Sequence, residues 1–251
     1  MRTVVLIPAR YSSTRFPGKP LVKLLGKPMI LWVAELAEKA VSKDNVYIAT
    51  DSKEISKAVL EAGYNVVMTS SSCLTGTDRL AEAVTQIDAD IFVNVQGDEP
   101  LASPNDILRI ASYKKRNIDC VINGFSYIGQ NEHVDNINIP KVVTNEENKL
   151  VYMSRKALPA VKDKRNTPDE YKKQVCIYAF TKKQLQQFAS FGRKSVLERC
   201  EDIEILRFLE LKIDVLMVET EPGSLAVDEP EDVAKVENEM IARGYKKYEL
   251  V

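Results

Sequence analysis

The chain has a single histidine, His133, and that scarcity narrows its chemistry. A Ser-His-Asp or Cys-His mechanism would have to recruit this one residue. His133 lies in the polar stretch Gln130-Asn131-Glu132-His133, which reads as a solvated surface loop. The four cysteines, Cys73, Cys120, Cys176 and Cys200, are scattered and form no Cys-x-x-Cys pair. They read as free thiols of a reducing cytosol, so neither zinc nor a disulfide framework is expected. No apolar run reaches the length of a membrane span, and membrane insertion is not expected. The run Val4–Ile7 is too short for a secretory signal, and Pro8 and Arg10 follow at once. Net charge is scarce too: 35 Lys and Arg against 36 Asp and Glu leave −1. A nucleic-acid binder would carry a basic surplus, so nucleic acid is not an expected partner.

Acidic residues are missing from the first 34 positions, which hold six Lys and Arg. There the short apolar run Val4-Val5-Leu6-Ile7 reads as a buried first strand. It leads into residues 7–21, Ile-Pro-Ala-Arg-Tyr-Ser-Ser-Thr-Arg-Phe-Pro-Gly-Lys-Pro-Leu. Three cations (Arg10, Arg15, Lys19), three hydroxyls (Ser12, Ser13, Thr14) and a glycine fall within this loop. At the carboxyl end of a strand such a loop suits a polyanion. Backbone N–H groups and hydroxyls wrap the oxygens while Arg and Lys neutralise the charge. The obvious polyanion is a nucleoside triphosphate.

With 251 residues and 45% hydrophobic content, residues 1–251 read as one large domain, or one domain carrying an insertion. Pro28 opens a helix with Met29, Val33, Leu36 and Ala40 on one face. Strand 45–49, helix 53–62, strand 65–68, helix 77–87, strand 90–95 and helix 104–116 follow. This alternation predicts an α/β fold whose parallel sheet is covered on both faces. Ligands then sit at the carboxyl ends of the strands, where loops 8–20, 69–77 and 96–100 converge. From about residue 119 the pattern turns to strands, at 119–127, 139–145, 149–154 and 173–180. The polar stretch 156–172 reads as a mobile loop between two of them. The β-rich segment 119–180 is read as an insertion, either a lobe over the site or a dimer surface. Helix 182–190, helix 201–211, strand 213–219 and helix 230–243 complete the chain.

Carboxylates are placed at two distant strand ends. In Val93-Asn94-Val95-Gln96-Gly97-Asp98-Glu99-Pro100 an apolar strand ends on Asp98. Magnesium takes a few carboxylates plus phosphate oxygens and water, which makes Asp98 the best candidate ligand. The competing reading is an ordinary strand-to-turn junction. In Val227-Asp228-Glu229-Pro230, the proline suits the first position of the last helix. Glu229 would then be its cap, and Asp228 would be left to meet a ligand or to complement the helix dipole. In Thr75-Gly76-Thr77-Asp78-Arg79, Gly76 allows a tight turn and Thr77 can cap a helix. Arg79, in the first turn, could reach a carboxylate or phosphate at the sheet edge. Together the cationic loop and the two carboxylates suggest metal-assisted phosphoryl or nucleotidyl transfer.

These segments resemble the sugar-acid cytidylyltransferases, especially those acting on 3-deoxy-manno-octulosonate (Kdo). The resemblance runs nearly end to end, through residues 8–21, 26–30, 49–51, 68–69, 76–82, 94–100, 152–155, 177–179 and 227–232. Residues 8–21 and 94–100 carry it most specifically. It implies a Rossmann-like nucleotidyltransferase fold and a cytoplasmic homodimer joined through the β-rich insertion. It also implies transfer of CMP from CTP to the anomeric hydroxyl of an acidic sugar for surface polysaccharide synthesis, with release of pyrophosphate. Arg10, Arg15 and Lys19 would hold the triphosphate, with Ala9, Thr75, Gly76 and Thr77 also at the nucleotide. Asp98 and Asp228 would hold Mg2+. Lys19, Arg15, Asp98 and Asp228 make up the implied catalytic set. Arg79, Gln96, Arg155, Gln174, Tyr178, Glu204 and Ile205 map to the sugar side. Gln174 stands where the family usually has His, and Ile205 where it has Gln, so a shift in the preferred sugar acid is expected. An 8-amino or nonulosonate-like acid is one alternative acceptor, and CTP binding without turnover is another reading.

Overall fold

Side-chain alternation along the first strand sets up two cores. A computed structural model describes residues 1–12, 16–130 and 132–248. In it β1 (Thr3–Ala9) sends Val4 and Leu6 to one face and Val5, Ile7 and Ala9 to the other. A strand buried on both faces reads as a continuous apolar run, and this one does. The short strands β2 (Lys23–Leu24) and β3 (Lys27–Pro28) follow, then α1 (Met29–Val41), β4 (Val46–Thr50), α2 (Lys53–Glu61) and β5 (Asn65–Met68). Next come α3 (Gly76–Ala83), β6 (Ile91–Val95), α4 (Pro104–Arg116), β7 (Val121–Tyr127), β8 (Lys141–Thr144), β9 (Leu150–Ser154) and β10 (Lys172–Phe180). The chain ends through α5 (Lys182–Ser190), α6 (Val196–Glu201), α7 (Leu206–Glu210), β11 (Val215–Glu219) and α8 (Asp232–Ala242).

The central sheet runs β11-β7-β10-β6-β1-β4-β5. The pairs β6–β1, β1–β4, β4–β5 and β11–β7 are parallel, and β10 alone runs antiparallel to its neighbours. Helices α1, α2 and α4 pack Ile30, Val33, Ile55, Val59 and Ile107 on one face. Helices α3, α5 and α7 pack Leu80, Leu185, Phe188 and Phe208 on the other. From β1 the chain moves outward to β4 and β5, then returns to place β6 on the opposite side of β1. The loops after β1 and β6 therefore diverge and leave a crevice at the strands' carboxyl ends.

Of the β-rich segment 119–180, β7 and β10 take places in the central sheet, and the β8–β9 hairpin is attached to it through β10, off the main strand path. Residues 156–172 connect β9 to β10 and contain one short 3-10 turn, Lys164–Asn166. The single helix expected over 201–211 is instead α6 and α7. A capping box between Ser195 and Glu198 starts α6 early, and Asp202, at φ 51°, ends it. Similarly, Thr75 rather than Thr77 caps α3, its hydroxyl accepting the Asp78 N–H at 3.1 Å. The last helix begins at Asp232, two residues past Pro230, because the Asp232 carboxylate accepts the N–H groups of Asp228 and Glu229. His133 is exposed beside Asp135, as its loop context predicted. Among the described residues, no helix is long and apolar enough to cross a membrane.

Lys114 on α4 is fully buried, and its ammonium donates to the carbonyls of Ile118 and Cys120 and to the Gln184 side chain. It thereby fastens the end of α4 to the start of α5. Desolvation pushes its pKa down from 10.5 to about 8. The unfolded chain therefore binds more protons than the folded one between these values, and this group's contribution to stability rises with pH across that window. The stability difference between wild type and Lys114→Met, measured by urea unfolding from pH 7.5 to 10.5, should shift steadily in favour of wild type.

Candidate active site

The cleft forms where the loops after β1 and β6 meet the amino end of α3. After β1, Gly18 adopts φ 70°, a left-handed conformation that glycine takes without strain. Its N–H donates to the Tyr11 carbonyl at 2.9 Å, closing the loop and delivering Lys19 at the start of a 3-10 turn. Beyond β6, Gly97 packs against the end of β1, where a Cβ would lie 2.9 Å from the Pro8 carbonyl oxygen. Only glycine allows this approach, and Asp98 follows it directly.

Asp228 arrives from the far end of the chain. The Val227 N–H donates to the Asp98 carbonyl at 3.0 Å, so the two aspartate loops are joined through their backbones. Val227 is itself buried among Leu24, Met29, Trp32, Leu101, Val236 and Met240, which anchors the segment to α1 and α8. Lys19 Nζ lies 2.5 Å from Asp98 Oδ2 and 3.8 Å from Asp228 Oδ1. The two carboxylates that the sequence singled out therefore converge on one ammonium. Glu99, half-buried beside them, is hydrogen-bonded to the Ser224 hydroxyl. Burial pushes its carboxyl up to about 7 against that bond, with the charges of Asp98 and Asp228 adding to the rise.

Around this centre lies a cleft of about 580 Å3 lined by Ala9, Arg10, Ser12 and Lys19 from the first loop, and by Gln96, Gly97 and Asp98 from the second. Arg10 is exposed and enters no ion pair among the described residues. Arg15, assigned to the triphosphate, lies outside the described residues. Thr75, Gly76 and Arg79 line the side facing α3, and Lys194, Asp202 and Glu204 come from the segment around α6.

Glu204 is tied to the amino end of α3. Its carboxylate accepts the N–H groups of Gly76 (3.1 Å) and Thr77 (2.8 Å) and the Thr77 hydroxyl (2.6 Å). A carboxylate there satisfies free N–H groups and complements the helix dipole. The first turn is held a second time through Asp78, which accepts from Arg207 at 2.8 Å, while Arg207 also donates to Glu198. Arg207 is fully buried and stacks on Phe188 at 3.7 Å. Arg79 does reach a carboxylate, as expected, but an internal one. It donates to Asp51 at 3.0 Å and to the Thr69 hydroxyl at 2.5 Å, with 1% of its surface exposed.

Gln174 and Tyr178 sit on β10, next to β6, with Tyr178 paired in register to Asn94. Gln96, which lines the cleft, donates to the Asn94 side chain at 3.3 Å, while Gln174 and Tyr178 are not among the lining residues. Burial holds the Tyr178 phenol protonated far above its usual range, and the nearby charges of Glu204 and Glu99 act in the same direction. Two expectations are corrected. Ile205 is 2% exposed and packs in the core with Leu206 and Phe208, so its apolar side chain forms no wall of the cleft. Arg155 does not line the cleft either. Its guanidinium donates to the carbonyls of Glu201, Asp202 and Ile137, bracing the α6–α7 turn from behind. Lys194 and Asp202, 3.2 Å apart at the cleft wall, escaped the sequence reading because a solitary surface Lys and Asp carry no local signal.

A crevice at the switch point of a mostly parallel sheet, with helices on both faces, is the architecture of a Rossmann-like nucleotidyltransferase. A solved structure described as CMP:2-keto-3-deoxy-manno-octonic acid synthetase complexed with CTP superposes with a TM-score of 0.89. It is 33% identical and covers 97% of this chain and 100% of the other. The cytidylyltransferase family model matches residues 4–215, and the chain belongs to that family of enzymes. Over 248 residues it is 38% identical to an 8-amino-3,8-dideoxy-manno-octulosonate cytidylyltransferase of Shewanella baltica (strain OS185), covering 96% of this chain and 99% of the relative. It is also 35% identical over 247 residues to a 3-deoxy-manno-octulosonate cytidylyltransferase of Bdellovibrio bacteriovorus, covering 97% and 100%.

The close approach at Gly97 gives a direct test of the site's construction. Gly97→Ala should lower unfolding stability by about 1–3 kcal/mol, as overpacking against backbone does. It should lower kcat as well, since Asp98 must move with it, as steady-state turnover and urea unfolding of the one variant would show.

Proposed function

We propose that the protein transfers CMP from CTP to the anomeric hydroxyl of Kdo or a Kdo-like 2-keto-3-deoxy sugar acid, with Mg2+, for surface polysaccharide synthesis. The observation that carries this reading is the convergence of Asp98 and Asp228 on Lys19 beside a cationic loop at the sheet's switch point. The donor set fits magnesium. Both acidic groups are oxygen ligands on separate loops, and a magnesium ion is commonly held by one or two carboxylates with phosphate and water oxygens completing its shell. When bound, the ion would neutralise phosphate charge and make the attacking hydroxyl more acidic.

The rest of the chemistry falls to the chain's own side chains. Lys19 and Arg10, with Arg15 from the same loop, neutralise the triphosphate and the charge that develops as pyrophosphate leaves. The loops after β1 and β6 hold the nucleotide and acceptor against each other, so that a bimolecular encounter becomes a positioned in-line displacement. By the family resemblance, Tyr178, Gln174, Gln96 and Arg79 would meet the acceptor sugar. No histidine is required for this chemistry. The four free thiols and the family resemblance support a cytoplasmic enzyme working as a homodimer through its β-rich segment. The 8-amino sugar acid is kept as a second acceptor because a relative of that name matches at 38% identity.

Incubation with CTP, Mg2+ and a panel of 2-keto-3-deoxy sugar acids should release pyrophosphate with at least one member. Silence across the panel, with CTP still bound, would favour a binding protein instead. Within the active case, Asp98→Asn should lower kcat by about a hundredfold or more, the scale of losing a group that stabilises transition-state charge. Gln174→His should act mainly on the KM of the acceptor. Equal losses in kcat would contradict the assignment of Asp98.

A further inference from the structure

The amide of Asn123, on β7, is fully buried between β7 and β10 and lies outside the machinery described so far. At this point the pairing of the two strands slips. Val175 lies opposite Gly124, but the next residue paired, opposite Asn123, is Tyr178. A bulge of this kind leaves backbone groups without ladder partners and re-aims the side chains beside it. Asn123 supplies the missing donors, since its Nδ2 lies 2.8 Å from the Val175 carbonyl and 3.0 Å from the Ile177 carbonyl.

The direction of these bonds is forced. A backbone carbonyl can only accept, so the NH2 group of Asn123 must face both carbonyls. Its Oδ1 is then turned toward Gln174, 3.1 Å from Nε2. That oxygen also can only accept, which requires Gln174 to present its own NH2 group there. The same nitrogen lies 3.2 Å from the Tyr178 hydroxyl. Both N–H donors of Gln174 are thus engaged inside the protein. Oε1 is left, and it takes no hydrogen bond among the described residues.

We propose that Asn123 is a positioning residue which locks Gln174 as a pure hydrogen-bond acceptor, so that the acceptor pocket selects a sugar acid bearing a donor, a hydroxyl or an ammonium, at the position Gln174 meets. This rests on the reading above that β10 faces the acceptor sugar. A histidine at position 174 could present either a donor or an acceptor, so the device belongs to the pairing of Gln174 with Asn123. Discrimination follows because an acceptor left facing a C–H group loses its hydrogen bond without recovering water.

The test uses wild type, Asn123→Leu, Gln174→Met and the double variant with Kdo analogues in which single hydroxyls are replaced by hydrogen or by amine. In wild type, hydrogen at one position should lower kcat/KM about tenfold, the scale of one hydrogen bond, while amine at that position is retained. Discrimination there should collapse in both single variants, with the KM of CTP unchanged. The double variant should lose no more than Gln174→Met alone, because Asn123 acts through Gln174. Additive losses, a matching rise in the KM of CTP, or equal use of hydrogen and hydroxyl at every position would each overturn the proposal. Should Asn123→Leu fail to fold, the side-chain amide protons of Gln174 in wild type decide. Slow exchange in the free protein, unmoved by acceptor, supports the lock, and fast exchange refutes it. If no analogue is turned over at all, the proposed function fails, while the exchange measurement still reports on the amide pair.

Discussion

The site depends on holding two carboxylates near one ammonium at the mouth of the sheet. Two like unit charges about 4 Å apart repel by roughly 4 kcal/mol at an effective dielectric of about 20. A cation beside both Asp98 and Asp228 offsets such repulsion, and Lys19 supplies it from the first loop. The main chain shares the load. The Val227 N–H bonds the Asp98 carbonyl, and Val227 is sealed in an apolar cluster with residues of α1 and α8. The amino-terminal strand, the middle of the sheet and the carboxyl-terminal helix are thereby bound into one centre.

The opposite wall is built on a second ionic arrangement with a different purpose. Arg207 is buried with Glu198 and Asp78 as partners and Phe188 beneath its guanidinium. Removing one member of a buried set strands an uncompensated charge, so such sets fix geometry more than they add stability. Here the geometry fixed is the first turn of α3, which Glu204 holds from the cleft side. Arg155 steadies the turn after α6 from behind. Charged residues that local sequence would assign to ligands are thus divided between binding and bracing.

Particular elements show how far the sequence could be read. The strands β1, β4, β5 and β6 are short apolar runs set between helical patterns, so their existence and parallel order followed from periodicity. The loop after β1 stood out in the sequence because the first 34 residues carry six cations and no acid, and the structure places Arg10 and Lys19 from it at the cleft. The turn that splits α6 from α7 was not, since it depends on a left-handed Asp202 and on a capping box that opens α6 earlier than the apolar pattern suggests. Ile205 was misplaced because a substitution aligned to a binding position does not say which way its side chain faces. An apolar side chain there goes to the core, and it does.

By itself the sequence determined the chemistry. Charge type, loop composition and two acidic strand ends point to a polyanion, because covalent residue identities fix what each group can donate, accept or neutralise. Only the tertiary structure decided which of those groups meet. Asp98 and Asp228 are 130 positions apart and are brought together by one backbone hydrogen bond, from the Val227 N–H to the Asp98 carbonyl. Arg155 is turned to backbone carbonyls and Arg79, at the cleft wall, is held by Asp51, while Arg10 and Lys19 line the cleft beside them. The direction of the Gln174 amide, too, is set by Asn123, 51 residues away across a bulged strand pair. These outcomes depend on long-range burial and on hydrogen-bond direction, and no local pattern along the chain records either.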